Sequence, residues 1–137
     1  MKNSILYILL ACTLLCSCDE NEIMPAHEKK GTTTSTVATI GVSNDEPEPG
    51  ETVTIELMYV SPATDPVETV ELKYKIGSGS YSVLQTFDES TTPMNEAVTR
   101  EITFVAPVVE TKVTFDMVIT SQKEYPQIMR ASMDVTE

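Results

Sequence analysis

The chain has 137 residues, which suits one ordinary domain and leaves no room for a second of that size. Nine Lys and Arg against twenty-one Asp and Glu give a formal net charge of -12. A surface so acidic repels phosphate backbones and argues against a nucleic-acid partner, while five Gly, eight Pro and no Trp lean away from a helix bundle.

At the N-terminus, Lys2 and Asn3 precede an almost wholly apolar run from Ile5 to Leu15. Spanning a hydrocarbon core takes about 20 such residues, so this run reads as the core of a signal peptide. Leu15-Cys16-Ser17-Cys18 follows. It is similar to a bacterial lipobox, with an aliphatic residue three places before a Cys and small residues between. The resemblance implies cleavage before Cys18, a diacylglycerol thioether on its sulfur and an acylated new amino terminus. At ~0.8 kcal/mol per buried methylene, several acyl chains anchor a soluble domain without a protein span. The expected organisation is a signal peptide over 1–17, a lipidated Cys with its tether over 18–35, and a folded domain over 36–137. Cys12 and Cys16 leave with the signal peptide and Cys18 carries lipid, so no thiol remains for a disulfide, a metal or nucleophilic catalysis.

Asp19, Glu20 and Glu22 stand directly after the anchor. This run resembles the acidic export signal of Bacteroidota lipoproteins, which implies display on the outer face of the outer membrane. From Asp19 to about Ser35 the chain contains Pro25, Gly31 and three consecutive threonines without apolar periodicity. The stretch predicts a flexible tether reaching at most ~3.5 Å per residue. His27, the sole histidine, lies in it with no second metal ligand or nucleophile nearby.

Beyond the tether the hydrophobic period is two, the signature of half-buried strands. Ala38, Ile40 and Val42 mark a first segment, and Val53, Ile55, Leu57 and Tyr59 a second after a Pro-, Glu- and Gly-rich turn. Val70, Leu72, Tyr74 and Ile76 face inward in the third, and Gly77-Ser78-Gly79-Ser80 supplies a hairpin connection. The fourth, Tyr81 to Phe87, places Tyr81, Val83 and Phe87 on one side and Leu84 on the other, a weak pattern that suits an edge strand. Between Asp88 and Glu96, Thr92-Pro93 reads as the cap and first position of a single helical turn. Val98, Ile102 and Phe104 define the fifth strand, with Arg100 an odd inward candidate and Pro107 ending it. The sixth alternates from Val109 through Val113, Phe115 and Met117 to Ile119, with Thr114 and Asp116 outward; Met129, Ala131, Met133 and Val135 form the seventh.

Seven short strands joined by Gly, Pro, Asn and Asp turns predict an all-β fold, a single seven-stranded antiparallel sandwich. The pattern resembles the immunoglobulin-like, cadherin-like and fibronectin-type-III-like modules of bacterial surface lipoproteins. It lacks the Cys, Trp, Cys core of antibody domains, strand order stays open, and a small β-barrel is the structural alternative.

No catalytic residues are expected. A serine triad needs a His held in the fold and a thiol site needs a free Cys, zinc wants clustered His or Cys, and paired carboxylates need a cleft to flank. Calcium takes six to eight oxygens. Asp45 and Glu46 in the first connection, and Asp88 and Glu89 after the fourth strand, are the weak candidates, but they lack the Asp-x-Asp spacing of cadherin-like sites. Neither a metal nor a cofactor is therefore expected. For a glycan, an exposed ring that stacks on a sugar face is the usual platform, and Tyr81 and Tyr125 are the best-placed rings, although tyrosines at strand ends also pack on the core rim. The reading is a non-enzymatic, lipid-anchored binding or accessory module serving glycan uptake or adhesion, its partners the membrane and a glycan or another envelope protein. A structural subunit that joins partners by edge-strand addition is the alternative.

Overall fold

The computed structural model describes residues 37–123 and 126–137. The signal peptide, the tether and Thr36 lie outside the described residues. Seven strands follow in chain order: β1 (Ala38–Val42), β2 (Thr52–Val60), β3 (Val67–Ile76), β4 (Ser82–Asp88), β5 (Ala97–Val105), β6 (Thr111–Ser121) and β7 (Gln127–Val135). All pairings are antiparallel and give two sheets, in the orders β1-β2-β5 and β4-β3-β6-β7. The expected all-β, seven-stranded sandwich is what forms. β4 joins β3 in the four-stranded sheet rather than β5 in the other, unlike the constant-type immunoglobulin order.

Period two puts one set of side chains between the sheets. Val53, Ile55, Leu57 and Tyr59 of β2 are fully buried, facing Val70 and Leu72 of β3 and Val113, Phe115, Met117 and Ile119 of β6. Phe104 of β5 stands edge-on to Tyr74 and Phe115, with ring centroids 5.2 and 5.1 Å apart, a favoured aromatic geometry. These contacts seat β5 over β3 and β6, while β1 lies against β7 at the other side. Three strands therefore cover four, and among the described residues β4 has no strand opposite it.

Several expectations are corrected by packing. Val109 lies before β6 in an exposed connection, because the strand begins only at Thr111. Ile76 sits at the hairpin end of β3, where it is 43% exposed. In β4 the pairing steps from Leu72↔Gln85 to Lys73↔Val83, so Leu84 is an extra, bulged residue. The bulge resets the alternation: Leu84 and Phe87 pack against the core and Val83 is exposed. Residues 89–96 form turns without a helical turn at Pro93, because Asn95 takes a left-handed φ of 61° that a right-handed turn does not allow; Thr92 bonds back to Glu89 through both its N–H and its hydroxyl. Thr114 and Asp116 do point outward, yet both are buried, since β6 is a central strand flanked by Lys75, Ser132 and Arg130.

Two connections need glycine. Gly50 (φ 81°) turns the chain into β2 and donates toward the Ala106 and Pro107 carbonyls, and Gly77 (φ 52°) opens the β3–β4 hairpin and donates to Lys112 at 2.7 Å. Asn95 (φ 61°) takes the same left-handed conformation, held by its N–H on the Ser61 carbonyl and by its side-chain oxygen, which accepts from Ala63.

Phe115→Ala is expected to lower stability by ~3–5 kcal/mol through the cavity it leaves. Thr114→Ala, on the covered outer face, should cost about 0.5–1.5 kcal/mol. Denaturant midpoints of the two variants check the order, and a larger loss at Thr114 would contradict the inward assignment of Phe115.

Candidate functional site

Cys18, His27 and Tyr125 lie outside the described residues. The acidic pairs fall at opposite ends of the sandwich, because β1 runs toward the end where β2 begins, whereas β4 ends where β3 begins. Asp45 offers its carbonyl to the Asp134 N–H at 2.8 Å, and the Glu46 N–H donates to Asn44 Oδ1. The Asp88 carboxylate accepts from the Ser90 N–H and hydroxyl at 3.0 and 2.6 Å. Among the described residues no three His, Cys, Asp or Glu side chains converge as a metal site.

Glu89 has a structural partner instead. Its carboxylate is fully buried and accepts from Arg100 Nε and Nη2 at 3.1–3.2 Å and from the Thr92 hydroxyl. Arg100 belongs to the inward set of β5, and its guanidinium also lies 5.5 Å from the Phe87 ring centre. The pair thus bridges the side where β5 and β4 stand apart. Burial alone would raise the Glu89 carboxyl, but the Thr92 and Tyr59 hydroxyls and the Arg100 guanidinium outweigh it and hold it below its ordinary value. The buried Tyr59 hydroxyl makes no hydrogen bond of normal geometry, and burial first, then the Glu89 carboxylate, push its pKa well up.

The outer face of the four-stranded sheet is a lattice of matched charges. Asp116 and Arg130, directly opposite on β6 and β7, make a two-pronged pair at 2.7 and 2.8 Å that holds Asp116 below the usual carboxylate range. Lys73 pairs with Glu71 and Lys112 with Asp134. Tyr81, 38% exposed, has the Lys75 ammonium over its ring at 5.1 Å. One face of the candidate stacking ring is therefore already engaged.

The outer face of the three-stranded sheet differs. Glu56 of β2 and Glu101 of β5 stand directly opposite each other, with Gly41 of β1 next to Glu56 in the same row. Gly41 has no side chain to fill the row, which leaves an open depression of about 420 Å³ lined also by Val42, Ser43 and Thr54. Neither carboxylate has an ion-pair partner among the described residues. Like charges directly opposite in a sheet are destabilising, so this is a frustrated row of the sheet surface.

Sequence reasoning singled out Arg100 and Glu89 separately and missed Glu56 and Glu101. The available signal was an outward Glu on each of two strands; it becomes a pair only when β2 and β5 are neighbours in that register.

Arg100→Met leaves the Glu89 carboxylate buried without its guanidinium and should cost about 1–3 kcal/mol, less than a fully enclosed pair because Arg100 is 40% exposed. The Glu89 and Asp116 carboxyls lie below their free values of 4.5 and 3.8, so each contributes stability above those pH values and loses it as pH falls through them. The midpoint should hold from about pH 7 to about pH 5 and then drop, less steeply in Arg100→Met. Glu101→Gln relieves the frustrated row and should raise stability by ~0.2–1 kcal/mol in low salt, a gain that shrinks as ionic strength rises.

No protein-family model and no curated protein matches the chain. Among solved structures it is similar to Spo0M, a sporulation control protein from Bacillus subtilis, with a TM-score of 0.54 and 14% identity. The match covers 77% of this chain and 51% of that one, so the chain spans about half the length of its structural relative. At this identity the likeness is one of fold: a β-sandwich similar to part of Spo0M.

Proposed function

We propose that the chain is a non-enzymatic cell-envelope lipoprotein, held at the surface of the outer membrane by lipid on Cys18, whose sandwich is a binding or accessory module in glycan uptake or adhesion. The observation that carries this reading is the charged start, short apolar core and Leu15-Cys16-Ser17-Cys18 box, followed by a sandwich whose first strand begins only at Ala38. About 20 residues between lipid and domain, at up to ~3.5 Å each, would let the domain stand clear of the membrane.

The polar chemistry of the fold supports binding over catalysis. The Glu89 and Asp116 carboxylates are taken up by arginines, and Asp65 accepts from the Ser121 hydroxyl and the Lys123 N–H at 2.8 and 2.9 Å. These buried acids hold loops and strands in place. With Lys75 over one face of Tyr81, a protein ligand fits better than a stacked sugar. The second reading, a subunit that joins an assembly by strand addition, is favoured by one feature, the nine-residue β5, which among the described residues has no strand on the side away from β2.

Mass spectrometry of the N-terminal peptide from native membranes should show an acylated Cys18, and Cys18→Ala should release the protein or leave it unprocessed. An unmodified peptide starting at another residue would remove the lipoprotein reading.

A further inference from the structure

The sandwich has four strand edges, and three are compromised. β1 has five residues and lies against β7. β7 is covered in its last part, where Asp134 and Thr136 donate to the Asp45 and Pro47 carbonyls. β4 is broken by the bulge at Leu84. β5 pairs with β2 without interruption over nine residues, and among the described residues nothing lies along its other side.

The direction of its backbone groups follows from its ladder. Ala106, just past the strand, donates to the Glu51 carbonyl at 2.8 Å, so by period two the even-numbered residues of β5 turn their N–H and C=O toward β2. Those of Ala97, Thr99, Glu101, Thr103 and Val105 turn outward, all five residues are exposed, and no hydrogen bond from another described segment reaches them. An uncovered edge of this kind is a template for one more strand.

Two further observations give that strand its character. On its inner side lies the place where β4 lacks an opposing strand, and there Leu84, Phe87, Val98 and Ile102 remain only partly buried. Apolar side chains from an eighth strand would complete the core at that point. On its outer side, Glu101 and Glu56 form the depression with two unpaired carboxylates.

We propose that the free edge of β5 is a strand-addition site for an extended partner segment in which apolar and basic residues alternate. The partner backbone bonds to the outward groups of Thr99, Glu101 and Thr103. Its apolar residues cover Phe87 and Ile102, and a Lys or Arg side chain lies across Glu101 toward Glu56. The long aliphatic stem of such a residue suits a shallow depression lined by two exposed carboxylates. The inference rests on the reading of the sandwich as a binding module and specifies where and what it binds.

The test uses the full chain, labelled for amide spectroscopy, and a synthetic peptide alternating Val and Lys over the length of β5. Titration should shift and protect the amides of Thr99, Glu101 and Thr103. Glu101→Lys should weaken the Val/Lys peptide by about tenfold, and a Val/Glu peptide should then bind instead. Thr103→Pro removes an outward N–H and none in the β2 ladder, so it should abolish binding. If that variant disturbs the fold, the charge reversal at Glu101 decides, provided its own spectrum is wild-type elsewhere. Absence of saturable binding, shifts confined to β4 or β7, or indifference to peptide charge would overturn the proposal. So would protection of these amides in the free chain: dependent on protein concentration, it would assign the edge to a second copy; independent of it, to a segment of this chain outside the described residues. Failure here with an acylated Cys18 would sink the edge assignment alone, whereas an unmodified Cys18 would sink the lipoprotein reading and leave the edge standing.

Discussion

Three strands packed on four leave one strand of the wider sheet without a lid, and most of what distinguishes this molecule follows from that mismatch. One side of the sandwich is closed where β1 lies against β7. On the other, β5 and β4 are held across the gap by Arg100 and Glu89. An arginine between Val98 and Ile102 on an inward face would be a fault in a closed core, because an unpaired buried charge is costly. At an open side the guanidinium stays partly wet, stacks on Phe87 and reaches a carboxylate carried by the connection from one sheet to the other. Thr92 donates a further hydrogen bond to Glu89, so the loop, the strand and both sheets meet in one cluster.

That arrangement also bears on which strands can pair further. Inward-pointing charges on edge strands discourage indiscriminate pairing. Arg100 is neutralised by Glu89, and the selective element moves to the outer row, where Glu101 and Glu56 would penalise any partner strand without a positive charge. The opposite outer face tells the contrasting story: Asp116 with Arg130, Lys73 with Glu71 and Lys112 with Asp134 are matched across or along strands, and Lys75 rests on Tyr81. Matched charges stabilise a sheet modestly and leave little attraction for a ligand. The acidity of the two outer faces is thus unevenly balanced, and the unbalanced row lies beside the edge of β5 that is free among the described residues.

Burial of Thr114 and Asp116 shows the limit of reading faces as inside and outside. Period two places both outward, and so they are, but a central strand has neighbours on both sides and their long side chains lie over it. The bulge at Leu84 shows a second limit. One extra residue reverses the parity of everything beyond it, so Phe87 and Leu84 face inward together while Val83 does not. Neither effect leaves a mark in a single strand's composition.

What the sequence by itself determined is considerable: seven strands, their approximate bounds, the inward set of β2, β6 and β7, the inward turn of Arg100, and the edge character of the fourth strand, because side chains alternate strictly across a pleated strand. The short-range connections were legible as well, since Gly50 and Gly77 occupy backbone conformations that suit glycine. Beyond the β3–β4 hairpin, which strands become neighbours was not, because hydrogen bonds between strands join residues far apart in the chain and every edge offers the same backbone groups. Only the tertiary structure put β5 beside β2, set Glu56 opposite Glu101 and Asp116 opposite Arg130, and left the outer side of β5 without a strand among the described residues. The physical reason is that local pattern chooses the face of each residue, whereas the packing of two sheets of unequal width chooses who stands across from it.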